Sequence, residues 1–332
     1  MNQTGREIMK RQQAPEQLDR LRAQRWLYRK AKGVAFWQFI VAALLPAALV
    51  LPLEHSEIPT YEIVAALAVA GLATELFLDQ RRRHFRGLAA RIQEAFDCDV
   101  LDLPWRAGLA GAERPDPATV KALAEAFRAA ASQPRGLKLA DGIEAWYSLN
   151  VQTLALERAR IECQQTNCVW DFELRRRYGR WLCGVALTPA IVIVLIALVK
   201  DTALDTPLHA PALLGRLLVI FGFPAVWAWR EWFALRESTE RLRQINQALA
   251  VAWEASRGGH RTPEYLRQMA RDIQDRLLFN RMHSPEVMEW IYNWLRPAQQ
   301  NKADSDAAAR AEEDRATSSS PGANGNSSGD AP

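Results

Sequence analysis

Four long apolar runs constrain this 332-residue chain more than any other feature of its sequence. A helix needs roughly 20 apolar residues to cross the hydrocarbon core of a bilayer, which is about 30 Å thick. An apolar run of about 10–14 residues would instead fit a helix buried inside a soluble domain. We therefore predict four membrane-spanning helices, at residues 33–53, 58–78, 181–199 and 210–233.

Few charged side chains interrupt these runs. Glu62 and Glu75 lie near the two ends of the second run, and Arg216, Arg230 and Glu231 lie in the fourth. Charged groups inside a bilayer are costly and often functional, so Glu75, Arg216 and Arg230 are candidate intramembrane charged residues. Glu75 and Arg230 match in depth, which predicts an ion pair between them. The alternative is that each side chain simply extends to its nearest interface.

The distribution of Lys and Arg predicts the orientation of the spans, because cytoplasmic connections carry an excess of both. Residues 1–32 hold nine of these cations, whereas the connection 54–57 holds none and the link 200–209 holds only Lys200. Both termini and the long segment 79–180 are therefore expected in the cytoplasm, with two short hairpins outside. Four tryptophans support this register, since they lie at the inner ends of the spans: Trp37, Trp181, Trp229 and Trp232.

The cytoplasmic parts have helical composition and continue the spans. We expect an N-terminal helix within residues 1–32, a mostly helical domain at 79–180 and further helices at 234–297. The tail, residues 298–332, has almost no large apolar side chains, which is typical of disorder. The predicted fold class is an all-α membrane protein with four transmembrane helices, helical stalks and a mostly α cytoplasmic domain.

Local signals predict where several helices begin. Asp116 and Thr262, each followed by a proline, are expected to be N-caps. Ser284 is expected to cap a last short helix, and residues 98–105 are expected to be extended.

Three stretches of the sequence resemble one known family. They are LRAQRWLYRKAK at 21–32, RIQEAFDCDVLDLPW at 91–105 and, most specific, WYSLNVQTLALERARIECQQTNCVWDFELRRRYGRWL at 146–182. Through them the chain resembles the SMODS-associating four-transmembrane effector family over roughly residues 15–295. The motif residues, which we expect to be structural, are Phe96, Asp97, Pro104, Trp105, Asn167, Trp170, Asp171, Arg175 and Tyr178.

The resemblance implies an effector of a bacterial antiphage system, located in the inner membrane. A nucleotidyltransferase would make a cyclic-oligonucleotide messenger, and the effector would then open or disrupt the bilayer and kill the infected cell. The family provides no ligand-site residues to transfer to this chain. The alternatives are a non-catalytic membrane anchor or scaffold that recruits a cytoplasmic partner, and a membrane-bound hydrolase.

The polar residues within the spans limit the mechanism. They are too few to line a permanently open channel, which requires polar groups along its whole length: Gln38, Thr74, Glu75, Thr188 and Arg216. Either several copies assemble around a narrow, hydrophobically gated path, or activation disrupts the bilayer. We favour assembly, and hence a homo-oligomer.

A cyclic oligonucleotide needs cations for its phosphates and flat rings for its bases. The candidates in the middle segment are Arg106, Arg114, Lys121, Arg128, Arg135, Lys138 and Arg158, with Trp105, Trp146, Tyr147 and Trp170. The region around Trp170 equally fits a structural clasp. In that interpretation Asp171 pairs with Arg175 one helical turn later, and Trp170 packs inside.

Signs of catalysis are missing. The sequence contains no phosphate-binding glycine loop, zinc-protease motif, nucleophile elbow or dinucleotide fingerprint. The cysteines lack the spacing of a zinc site, so we expect all four to be reduced and structural: Cys98, Cys163, Cys168 and Cys183. We expect no enzymatic activity, no cofactor and no metal.

Overall fold

A computed structural model describes residues 4–41, 60–133, 142–203, 210–257 and 261–289, except Ala145, together with isolated positions as far as Glu312. Its helices are α1 (Arg6–Gln12), α2 (Pro15–Phe39), α3 (Thr60–Val100), α4 (Ala107–Ala110), α5 (Pro117–Ala131), α6 (Leu156–Ala203), α7 (Ala210–Arg257) and α8 (Pro263–His283). A short 3₁₀ helix occupies Leu149–Thr153. The described residues contain no β-strand, and Thr4 and Ala155 form an isolated bridge. The described part of the chain is therefore all-helical, as predicted.

Three helices join an apolar part to a charged part without a break. Helix α3 has 41 residues, and α6 and α7 have 48 each. At 1.5 Å per residue, a helix of 48 residues is about 72 Å long. The continuity expected between the apolar runs and their helical stalks is thus present in α3, α6 and α7.

Within the part of the chain that the structure describes, no helix contains a stretch long and apolar enough to cross a membrane.

Several sequence predictions fall on positions outside the described residues. These positions include most of the first predicted span, the hairpin at 54–57 and residues 204–209 of the second hairpin. The predicted tail at 298–332 also lies outside them, apart from isolated positions.

The long helices pack in two pairs, α2 with α3 and α6 with α7, and α8 contacts α3, α6 and α7. The sequence of α8 explains why this helix packs against the other three. Its buried apolar residues recur at helical spacing along one face: Leu266, Ala270, Ile273 and Leu277. Ala270, Ile273 and Leu277 join a core that also contains Phe96 of α3, Ile161 of α6 and Leu242 of α7. Helix α8 is therefore the element that ties the three longest helices together.

The helix ends confirm two predicted caps. The Asp116 carboxylate accepts hydrogen bonds from the backbone N–H groups of Ala118 and Thr119, and the Thr262 hydroxyl accepts one from Tyr265. The N-terminal segment is two helices rather than one, because the chain breaks at Gln13 and Ala14 before Pro15 begins α2.

Two local predictions were wrong. Helix α3 continues to Val100 instead of ending before Cys98, because the extra turn buries Cys98 and Leu101 in the core. Ser284 terminates α8 rather than beginning a helix, and residues 285–288 have no regular secondary structure. Its hydroxyl instead contacts Asn280 and Ser238.

Gly5 allows α1 to lie against the 3₁₀ helix. A Cβ atom at this position would meet the Val151 carbonyl oxygen at 1.9 Å. We predict that Gly5→Ala destabilises the protein by about 1–3 kcal/mol through overpacking. The matched control is Gly108→Ala, where a Cβ meets nothing within 4 Å. Thermal unfolding of the two variants checks this, and equal midpoints would contradict it.

Candidate functional site

Buried polar and charged side chains form a series that reaches from the helical domain to the adjoining ends of the predicted spans. The boundary cluster consists of Gln38, Glu75, Arg82, Arg86, Arg230, Glu231 and Glu286. The bridge cluster consists of Asp171, Arg175, Ser238, Asn280 and Ser284. The domain cluster consists of Glu94, Asp97, Arg271, Gln274, Asp275 and Arg281.

Arg82 is the centre of the boundary cluster, and its side chain is only 5 % exposed. It donates to the two carboxylate oxygens of Glu231 at 2.8 and 3.3 Å, and it pairs with Glu286. It also donates to the amide oxygen of Gln38 at 3.2 Å. One guanidinium thus connects α2, α3, α7 and the segment after α8.

The electrostatics of this cluster depend on full pairing, because a buried charge without a partner is very costly. Burial alone would raise the pKa of the Glu286 carboxyl, but the guanidinium groups of Arg82 and Arg86 outweigh it and hold that pKa below its ordinary value. Burial likewise opposes the charge on Arg82, but Glu286 and Glu231 raise its pKa well above the ordinary value. Arg82 and Glu286 therefore both stay charged at neutral pH.

The ion pair expected from the matching depths of Glu75 and Arg230 is present, at 2.8 Å. Gln38 donates to the same carboxylate oxygen of Glu75 at 3.4 Å, and the other oxygen is buried without a hydrogen-bond partner. Arg230 itself is half exposed. The side chain of the third candidate, Arg216, lies outside the described residues.

The bridge cluster contains the predicted pair of Asp171 and Arg175, at 2.8 Å. Arg175 also donates to the backbone carbonyl of Pro285 at 2.5 Å, and Asn280 donates to Asp171 at 3.4 Å. Helix α6 is thereby attached to α8 and to the residues that follow it. Trp170 is half-buried and is not part of the core, so the expected packing of its ring inside the protein is only partial.

The domain cluster surrounds Arg271, whose side chain is 1 % exposed. It pairs with Glu94 at 2.5 Å and with Asp275 at 2.7 Å. Gln274 donates to both Glu94 and Asp97 at 2.9 Å. Helices α3 and α8 are therefore joined by a dense network in which each carboxylate has a donor.

Several family-motif residues support this network. Asp97 pairs with Arg281 at 2.6 Å and accepts the Tyr147 hydroxyl at 2.8 Å, while Asn167 donates to that hydroxyl oxygen at 3.2 Å. Phe96 stacks against Tyr147 with ring centroids 6.0 Å apart. The motif thus holds the 142–153 region against α3 and α6.

The other motif residues lie at the edges of the network. The Pro104 carbonyl accepts from Arg271 at 3.0 Å, and the Trp105 indole donates to the Gly111 carbonyl at 3.1 Å. Tyr178 is 2 % exposed and stacks on Trp181. Pro104 and Trp105 hold the backbone that follows α3, and Tyr178 packs in the interior of the protein.

Sequence reasoning missed most of the charged residues in the clusters. They are Arg82, Arg86, Glu94, Glu231, Arg271, Asp275, Arg281 and Glu286. A signal existed for one of them, since Arg271 lies directly beside the apolar residue Ala270 on the buried face of α8. The sequence does not distinguish Arg82 or Glu286 from their neighbours. Arg82 is one of several arginines after the second apolar run, and Glu286 is one acid in a short polar segment.

The cationic ligand candidates do not converge. Arg106 pairs with Asp272 and Asp275, Arg114 with Asp99, and Arg128 with Asp19, while Arg158 donates to the Ser256 carbonyl. Lys121 is exposed, Tyr147 is buried, and Arg135 and Lys138 lie outside the described residues. The structure therefore assembles no phosphate site from them within the described ranges.

The acids, histidines and cysteines of the described residues are also potential metal ligands. Among the residues described, no group of three or more such side chains could hold a metal ion. All four cysteines are free, as expected, and three of them are buried.

Comparison with known proteins agrees with the motif. The family model described as the SMODS-associating 4TM effector domain matches residues 6–310. The chain belongs to this family. It is also similar to the probable CBASS effector molecule of Bacillus cereus strain VD146, with 19 % identity over 295 residues that cover 87 % of this chain and 92 % of that protein. No solved structure matches the chain significantly.

The boundary cluster leads to a stability prediction. Replacing Arg82 by Ala leaves the buried carboxylates of Glu231 and Glu286 without their main partner, which should cost about 3–5 kcal/mol. The control is Arg83→Ala, whose side chain is 71 % exposed, and it should change stability by no more than about 0.5 kcal/mol. Denaturant unfolding in detergent measures both, and similar effects would show that Arg82 is not a structural centre.

The depressed pKa of Glu286 predicts a pH dependence. A carboxyl whose pKa is lower in the folded state stabilises the protein above its unfolded pKa, here near 4.5, and loses this effect as the pH falls towards the folded value. The stability difference between the native chain and Glu286→Gln should be constant from pH 7 to about 5. It should shrink below pH 4.5, as followed by thermal unfolding. A difference that grows on acidification would contradict this assignment.

Proposed function

We propose that this chain is a membrane effector of a bacterial antiphage system. A cyclic-oligonucleotide messenger, made by an associated nucleotidyltransferase, triggers it to open or disrupt the inner membrane. The description of the matching family as a four-transmembrane effector and the name of the Bacillus relative as a CBASS effector support this role. The proposal places both termini in the cytoplasm and includes no catalytic step.

The observation that carries the proposal is the polar connection from the helical domain to the boundary cluster. Helix α8 contributes Arg271, Gln274 and Arg281 to the domain cluster, and Glu286 follows this helix by only a few residues. Glu286 pairs with Arg82, which lies four residues after the second predicted span. A displacement of α8 by a ligand in the domain would therefore act directly on the inner ends of the spans.

The exposed apolar side chains support a membrane location. Among the side chains that the structure describes, nineteen large apolar ones are exposed, and thirteen of these lie within the four predicted spans. Among them are Val69 and Val226, both 70 % exposed. A concentration of this kind marks a surface that is covered by lipid or by other protein.

The polar side chains within the spans favour a gated assembly over a permanent channel. The hydroxyls of Thr74 and Thr188 donate to the carbonyls of Ala70 and Gly184 in their own helices. Gln38 is fully buried in the boundary cluster. A single copy therefore presents few polar groups to a water path, and we propose that several copies form the path together.

Dye release from liposomes tests the proposal. The full chain is reconstituted into vesicles that enclose a self-quenched dye, and a panel of cyclic di- and trinucleotides is added. We expect one of these messengers to cause rapid release, and the others to cause little. Correct insertion without release by any messenger would favour the membrane anchor instead.

A variant pair tests the connection through Glu286. We expect Glu286→Gln to release dye several-fold faster than the native chain without any messenger, because the inner ends of the helices are no longer held together. Glu237→Gln is the control. The Glu237 side chain is 73 % exposed, and its ion pair is with Arg241 of the same helix. If Glu286→Gln shows the same basal and the same triggered dye release as the native chain, the proposed connection is contradicted.

A further inference from the structure

Positive charge is concentrated just inside the predicted spans. The six residues on the cytoplasmic side of each run are 27–32, 79–84, 175–180 and 234–239. Together these 24 positions contain eleven Lys and Arg but only two acids, Asp79 and Glu237. The surplus of cations is therefore confined to one level of the molecule, whereas the chain as a whole has a net charge of only +4.

Most of these cations face outward. Arg82 and Arg175 are buried in the clusters described above, and Lys32 pairs with Glu289 at 2.6 Å. The remaining eight are exposed or nearly so, and every one of the four helices contributes at least one: Arg29, Lys30, Arg81, Arg83, Arg176, Arg177, Arg180 and Arg236. We call these eight residues the cationic band.

The acids near the band balance only part of its charge. Asp79 pairs with Arg83 at 2.5 Å, and Glu173 contacts Arg176 at 3.1 Å and Arg177 at 3.8 Å. The band therefore retains a strong net positive charge that is exposed to its surroundings.

The same local arrangement recurs on all four helices. In each helix one cation of the band lies over an aromatic ring four residues earlier, with 5.4 to 5.8 Å between the charge centre and the ring centroid: Lys30 over Trp26, Arg81 over Phe77, Arg176 over Phe172 and Arg236 over Trp232. The four cations lie three to five residues from their apolar runs. At 1.5 Å per residue, they therefore lie roughly 5–8 Å below the predicted spans.

This level corresponds to the phosphates of a lipid headgroup. Exposed aromatic residues lie directly above the band, among them Trp37, Trp181 and Trp229. Tryptophan is enriched at the membrane interface, and juxtamembrane cations are attracted to anionic lipids. A soluble phosphate ligand would require the cations to converge, but here they are distributed over the outer faces of four helices.

We propose that the cationic band binds the phosphates of anionic phospholipids, so that the chain recruits these lipids around its inner ends. This inference rests on the membrane location proposed above. It adds the chemical class of lipid and the residues that bind it. Each cation of the band contributes a charge-assisted contact, and in the four cation–ring pairs the aromatic ring restricts the direction of the cationic side chain.

Tryptophan quenching by brominated lipids tests the proposal with the full chain. The protein is reconstituted into phosphatidylcholine vesicles that contain a minor fraction of either brominated phosphatidylglycerol or brominated phosphatidylcholine. We expect the anionic lipid to quench tryptophan fluorescence several-fold more effectively at low salt. High salt should reduce the difference, because it screens exposed charges.

Two quadruple variants separate the band from total charge. In the first variant, Gln replaces Lys30, Arg81, Arg176 and Arg236. In the second variant, Gln replaces four exposed cations of the helical domain: Arg6, Lys10, Lys121 and Arg276. We expect the first variant to lose the preference for the anionic lipid and the second to keep it. Tryptophan emission without brominated lipid shows that each variant is folded.

The outcomes distinguish this inference from the proposed function. Equal quenching by the two lipids, or the same loss in both variants, would overturn the role of the band while leaving the membrane location intact. No quenching by either lipid in the native chain would overturn the membrane location, and with it the inference.

Discussion

The burial of Arg82 between Glu231 and Glu286 is the interaction on which the arrangement of the long helices depends. A guanidinium taken out of water is tolerated only when its hydrogen-bond donors are satisfied and its charge is balanced. Arg82 meets both conditions only if α3, α7 and the segment after α8 are all in place. Its own position is in turn stabilised by Gln38 of α2. The cluster therefore specifies how four elements meet at one point.

Such a cluster contributes more to selecting one arrangement of the helices than to the free energy of folding. Apolar packing at the same place would hold the helices as firmly, and a buried ion pair gains little over it. A charged contact, however, discriminates sharply between a state in which all partners meet and a state in which one has moved away. This property suits the triggered effector that we propose, in which a small movement of α8 would separate the partners of Arg82.

Local chemistry explains which features could be predicted from the sequence. The helices, the caps at Asp116 and Thr262, and the pair of Asp171 with Arg175 depend on residues within one or two turns of one another. The pair of Glu75 with Arg230 spans 155 positions, but the depth of each residue in its apolar run limited the choice of partners. Glu286 had no such limit, because it follows α8 in an irregular segment 204 positions from Arg82.

The wrong predictions have the same origin. Ser284 has the sequence context of an N-cap, yet its hydroxyl bonds to Asn280 and lies beside Ser238 of α7. Residues 285–288 remain irregular, and in this form the Pro285 carbonyl accepts from Arg175 while the Glu286 carboxylate reaches Arg82. A helix beginning at Ser284 would direct these groups elsewhere. Tertiary contacts therefore overrode the local preference in the segment that joins α8 to the boundary cluster.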